Sequence, residues 1–71
     1  MTIDSLNQHL KRELRKRNLT QAQLSARMDM RRTTLTRRLT GVTPWLAEEL
    51  LLVSQILGYS SLSDLLADAG L

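Results

Sequence analysis

Leu19-Thr20-Gln21-Ala22-Gln23-Leu24-Ser25-Ala26-Arg27-Met28, then Asp29-Met30, then Arg31-Arg32-Thr33-Thr34-Leu35-Thr36-Arg37-Arg38-Leu39-Thr40-Gly41, is the stretch whose reading decides the fold. Thr20 and Gln23 have the form of a capping box. The threonine hydroxyl accepts from the Gln23 N–H, and the Gln23 side chain accepts from the Thr20 N–H. Leu19 and Leu24 flank that box as a hydrophobic staple. A helix therefore starts at Thr20, carries Ala22, Leu24, Ala26 and Met28, and stops near Asp29. Another helix follows almost at once, with Leu35 and Leu39 as its only apolar anchors. Threonine is a poor helix former and the segment is short, so it cannot hold its shape alone. Neighbours must hold it, yet most of its surface is polar and basic. Thr33, Thr36, Arg37 and Thr40 fall at i, i+3, i+4 and i+7, on one face away from Leu35. Gly41 stands where a left-handed C-cap belongs.

Further helices surround this pair. Upstream, Ile3, Leu6, Leu10 and Leu14 form one apolar stripe. Asp4 or Ser5 can cap that first helix, which ends near Asn18. Its outer face carries Lys11, Arg12, Arg15 and Lys16. Downstream, Thr43 as N-cap and Pro44 at the first helical position predict a fourth helix running to Leu57. Leu46, Leu50, Val53 and Leu57 form its core stripe. Trp45, Leu52 and Ile56 form a second apolar stripe, and Leu51 points elsewhere. Gly58 closes this helix. Ser60 or Ser61 caps a fifth, with Leu62, Leu65 and Leu66, which ends at Gly70. No strand pattern, repeat or low-complexity linker occurs. The expected fold is all-α, a compact five-helix bundle in a single domain over residues 1–71.

Charge is divided along the chain. All ten Lys and Arg lie between Lys11 and Arg38, and residues 39–71 carry four acids and no base, within a net charge of +3. A positive half beside a negative half points to a polyanionic partner. Cysteine is absent, which removes disulfides and thiolate metal sites. No apolar run approaches the length of a membrane span. The N-terminus shows no secretory h-region, so the expected location is cytoplasmic.

Two short helices with a tight turn, over residues 20–40, have the form of a helix-turn-helix unit. In that unit the second helix lies in the major groove and the first crosses the phosphate backbone. The residue types of the third helix suit that work. Arginine pairs with guanine O6 and N7, and threonine hydrogen-bonds a base edge or packs its methyl on thymine. A merely solvated helix would more often use Glu, Lys and Ala.

The quoted stretch resembles the lambda-type repressor and Cro family of helix-turn-helix regulators (XRE-like), found in phages and prophages. The resemblance extends through Thr43-Pro44-Trp45 and Ile56-Leu57-Gly58-Tyr59-Ser60-Ser61-Leu62. It implies that Gln21 contacts phosphate and braces the recognition helix. It implies base contacts by Arg31, Arg32, Thr33, Thr36 and Arg37, and backbone contacts by Gln21 and Thr40. Thr20 and Arg38 are expected to position the backbone with them, and Lys11, Arg12, Arg15, Lys16 and Arg17 of the first helix can add phosphate contacts. Three positions depart from the family pattern. Asp29 replaces a glycine in the turn, Arg38 an apolar residue, and Val42 a basic one.

The remaining residues carry no second chemistry. His9 is expected to be a surface or half-buried histidine with no acidic cluster around it. No nucleophile stands with a base, so no enzymatic activity, metal, cofactor or small-molecule ligand is expected. Part of the surplus apolar surface of the fourth helix should pack on the fifth, and the rest, among Leu51, Leu52 and Ile56, is either buried within the chain or a candidate dimer interface. The expected partner is an operator in double-stranded DNA, and the expected location is the nucleoid. An antitoxin of the same fold, with a toxin as second partner, and a protein-interaction module are the rival readings.

Overall fold

The computed structural model describes the backbone of residues 3–70 and the side chains of residues 5–70. Five helices follow in order: α1 (Ile3–Lys16), α2 (Gln21–Arg27), α3 (Arg32–Leu39), α4 (Ala47–Ile56) and α5 (Leu62–Asp68). No strand occurs among the described residues. The helix already runs from Ile3, so Asp4 and Ser5 lie inside its first turn rather than ahead of it. The side chains of Ile3 and Asp4 lie outside the described residues.

Leu6, Leu10 and Leu14 of α1 are buried, as their spacing predicts. They meet Leu24 and Met28 around α2, Leu35 and Leu39 of α3, and Val53, Leu57 and Leu65 from the C-terminal half. α3 packs on both α1 and α2, and α4 on α5. Each fully buried leucine contributes about 1.5–3 kcal/mol by leaving water. That is how an α3 with little intrinsic helicity is held.

The Thr20 capping box forms, with the Gln23 N–H donating to Thr20 Oγ1 at 3.1 Å and the Thr20 N–H to Gln23 Oε1 at 2.8 Å. α2 ends in a left-handed Asp29 (φ 52°). The Met30 N–H then reaches back to the Ser25 carbonyl at 2.9 Å, the Schellman closure of a helix end. Asn18 (φ 53°) closes α1 in the same way, with the Leu19 N–H on the Leu14 carbonyl. Ser61 caps α5 by accepting the Asp64 N–H.

The start of α4 differs from the sequence expectation. Thr43-Pro44 does not open the helix; it begins at Ala47, with Leu46 as N-cap residue. Two contacts explain the delay. Trp45 turns inward and donates its indole N–H to Asn7 Oδ1 of α1 at 2.8 Å. The Leu46 N–H is met by Glu49 Oε1 at 2.9 Å. The chain from Thr43 to Leu46 is therefore a bridge anchored by a buried indole. Leu46 leaves the core stripe and is 58% exposed. Leu52 and Ile56 of the second stripe pack against the core, the intramolecular of the two outcomes open to them.

His9 also differs. It is buried, and the fold sets Glu13 and Asp68 beside it. The Tyr59 hydroxyl lies 2.9 Å from His9 Nε2, 2.9 Å from Glu13 Oε1 and 2.6 Å from Asp68 Oδ2. This hub ties α1 to α5 and to the link between α4 and α5. Burial raises the proton affinity of the Glu13 carboxyl, but Tyr59, Lys16 and Arg17 together outweigh that and hold it below the usual carboxylate range. Burial and the two carboxylates push the Tyr59 hydroxyl well above its ordinary value. The hydroxyl stands among the three ligand-type atoms, where a metal ion would have to sit. The arrangement works as a hydrogen-bonded strut.

Candidate nucleic-acid interface

Leu35 is wholly buried and Leu39 almost so, which fixes the rotation of α3 about its axis. The opposite side must then face outward. Arg32, Thr33, Thr36, Arg37 and Thr40 are exposed. Arg32, Thr33, Thr36 and Arg37 line one shallow hollow of about 350 Å³. So the structure brings together four of the five expected base-reading residues. Arg31 is exposed but stands apart, at the N-cap of α3. It lines a different hollow with Met28, Asp29, Glu48 and Glu49.

The threonines of this face are not equivalent. Thr36 donates its hydroxyl to the Arg32 carbonyl at 3.0 Å and lies 3.4 Å from Gln21 Oε1. Thr40 donates to the Thr36 carbonyl at 2.9 Å. Thr33 has no intramolecular partner among the described residues, so its hydroxyl is free. Gln21, the first residue of α2, thus touches the middle of α3 and links the two helices of the motif.

Two expected backbone contacts are engaged within the protein. Arg38 lies against α4, with Nε 2.9 Å from Glu49 Oε1 and an Nη 3.2 Å from Glu49 Oε2. This two-pronged pair holds the Glu49 carboxyl below the usual range, helped by the Leu46 N–H and opposed by burial. Arg38 stands where an apolar residue is usual, and its charge is answered on the spot by Glu49. Arg17 donates to the Leu57 carbonyl at 2.8 Å and pairs with Glu13 at 3.2 Å. It caps the end of α4 and ties it to α1. Thr20 is exposed, its hydroxyl oxygen engaged in the cap.

Lys11 and Arg15 carry a feature that composition alone does not single out. With Leu14 and Gln21 they line a hollow of about 270 Å³ beside the start of α2. Their i, i+4 spacing put them on one face. Only the packing of α1 on its neighbours shows that this face adjoins Gln21.

Among the candidate dimer residues, Leu51 is 45% exposed, while Leu52 and Ile56 are half-buried against the core. No helix among the described residues is long and apolar enough to cross a membrane.

A short helix pinned by its leucines on two others, with arginines and threonines turned outward, is the working part of a helix-turn-helix DNA-binding domain. The helix-turn-helix family model matches residues 10–65. The chain belongs to the lambda-repressor-like (XRE) helix-turn-helix family, whose members are DNA-binding transcriptional regulators. No curated protein and no solved structure matches it.

Proposed function

We propose that this protein is a sequence-specific regulator that occupies an operator in double-stranded DNA, as Cro or a minimal phage or prophage repressor does. The observation that carries this reading is the outward face of α3. Four side chains able to read base edges share one hollow, on a helix whose other side is locked in the core. Arg32 and Arg37 supply bidentate donors for guanine, and Thr33 supplies a free hydroxyl. Arg31, at the helix entrance, lies outside that hollow and is the outermost of the expected readers. Gln21 meets phosphate, with Thr20 beside it, and Thr40 does so by turning its hydroxyl from the Thr36 carbonyl. Lys11 and Arg15 extend the phosphate track along α1. Arg38 and Arg17 act indirectly, by fixing α3 and α4 in place.

No part of this role requires catalysis, a metal or a cofactor. Occupancy of a promoter suffices for repression, and the protein works where the genome is, in the cytoplasm on the nucleoid. A two-fold operator would require a second copy, and Leu51 on α4 is the exposed apolar residue that would bring it.

The test is selection of binding sites from a random duplex library at near-physiological salt. Enrichment of one motif by the wild-type chain, lost in Arg32→Ala/Arg37→Ala, supports the reading. Equal recovery of all duplexes would leave a non-specific binder. An unchanged motif in the double variant would remove α3 from the role of reader. Leu51→Glu with unchanged mass in solution and unchanged DNA affinity would remove α4 as a dimer face.

A further inference from the structure

We propose that Thr36 reads a thymine, through its methyl group and not its hydroxyl. The inference rests on the DNA-binding reading above and names the base that one side chain of that site recognises.

Hydrogen-bonding capacity separates the hydroxyl from the methyl. A threonine hydroxyl has one proton to give. In Thr36 that proton goes to the nearer acceptor, the Arg32 carbonyl at 3.0 Å. The Gln21 side-chain oxygen lies 3.4 Å from the same hydroxyl, too far to draw the proton from the carbonyl. The hydroxyl's one proton is thus spent within the protein, and its oxygen is left able only to accept. Donating that proton to a base would break the bond to the Arg32 carbonyl. The part of the side chain that needs no partner is the γ-methyl, and Thr36 is exposed in the hollow shared with Arg32, Thr33 and Arg37. A methyl on a major-groove helix has one complement among the base edges, the C5-methyl of thymine.

Thr33 gives the contrast. It sits one turn earlier on the same face with its hydroxyl free, so it can donate to or accept from a base edge. Two residues of the same type on one helix therefore read by different chemistry. The cause is local. The Thr36 side chain lies over the turn that holds Arg32 and across from Gln21, whereas the turn before Thr33 lies outside the helix.

The test uses the duplex selected by the wild-type chain, with each thymine replaced in turn by deoxyuridine, which removes only the methyl. At one thymine per half-site the wild type should lose about fourfold in affinity, the factor expected for one buried methyl-sized group. Thr36→Val keeps the methyl and should bind within about twofold of the wild type, with the same uracil sensitivity. Thr36→Ser keeps the hydroxyl and should bind the thymine and uracil duplexes equally. Melting temperatures of both variants, measured alongside, show that each is folded. Loss of binding by Thr36→Val with full binding by Thr36→Ser would overturn the proposal and make the hydroxyl the reader. So would a uracil penalty that persists in Thr36→Ser, or no uracil penalty anywhere. In each of those cases an enriched motif would leave the regulator reading intact. Failure to enrich any motif would bring down both.

Discussion

At the residue scale, the turn of the motif shows a compromise. Asp29 occupies a left-handed position (φ 52°) that residues with a Cβ adopt at a cost. Its backbone N–H is bonded to Ala26, so the conformation is imposed by the helix end rather than by the side chain. Asp29→Gly should therefore stabilise the fold by about 0.5 kcal/mol, or roughly 2–4 °C in melting temperature for a chain of this size. An unchanged or lower melting temperature would show that the carboxylate makes a compensating contribution. Asn7 offers the opposite case. Its Oδ1 is the acceptor for the buried Trp45 indole. Asn7→Ala should cost about 2 kcal/mol in denaturant unfolding, because it strands a buried donor and opens a small cavity. A cost below about 0.5 kcal/mol would mean that the indole finds another acceptor.

At the scale of elements, α3 is tied to α4 through the Arg38–Glu49 pair. Glu49 does two jobs, since it also accepts the Leu46 N–H that starts α4. Glu49→Gln keeps the capping acceptor and removes the charge, so it separates the two. The Glu49 carboxyl lies below its ordinary value when folded, as does that of Glu13. An unfolded chain thus binds these protons more readily than the folded one. Their stabilisation is complete above the ordinary glutamate value of about 4.3 and is lost as the pH falls through the lowered folded values. Melting temperature should hold from neutral pH to about pH 5 and drop below that. In Glu49→Gln it should be lower at neutral pH, and the drop on acidification smaller. An identical acid profile in the variant would show that the pair contributes nothing across this boundary. These ties also mark what the sequence could show. The capping box at Thr20, the stripe of α1 and the leucine anchors of α3 are legible because their partners lie within a turn or two. The outward face of α3 follows from Leu35 and Leu39 in the same way. The Arg38–Glu49 pair spans 11 positions and the His9–Tyr59 contact spans 50, so neither leaves a periodic trace. The delayed start of α4 was hidden for a related reason. Thr43-Pro44 has the local chemistry of a helix start, and a distant acceptor on α1 for Trp45 overrides it.

At the scale of the whole molecule, the question is which of ten basic residues meet the phosphates. The fold removes some from consideration. Arg38 is matched by Glu49, and Arg17 by Glu13 and the Leu57 carbonyl. Lys16 lies 3.3 Å from Glu13. Lys11 and Arg15 have no acid within reach among the described residues and flank Gln21, next to the proposed reading helix. A protein cation that displaces a condensed counterion steepens the dependence of affinity on salt, by about 0.9 in the slope of log K against log salt. Lys11→Ala and Arg15→Ala should each make that slope shallower by about 0.9 while leaving the selected motif unchanged. Arg12→Ala, exposed but outside the hollow, is the control and should leave the slope alone. The same titration on Arg32→Ala should weaken binding mainly through lost discrimination between the selected duplex and a scrambled one. If Lys11→Ala and Arg15→Ala leave the slope where it was, α1 lies away from the duplex. The protein would then dock with α3 tilted so that the positive field of α1 acts only at a distance. Adding salt would slow association in that case without changing the number of ions released on binding.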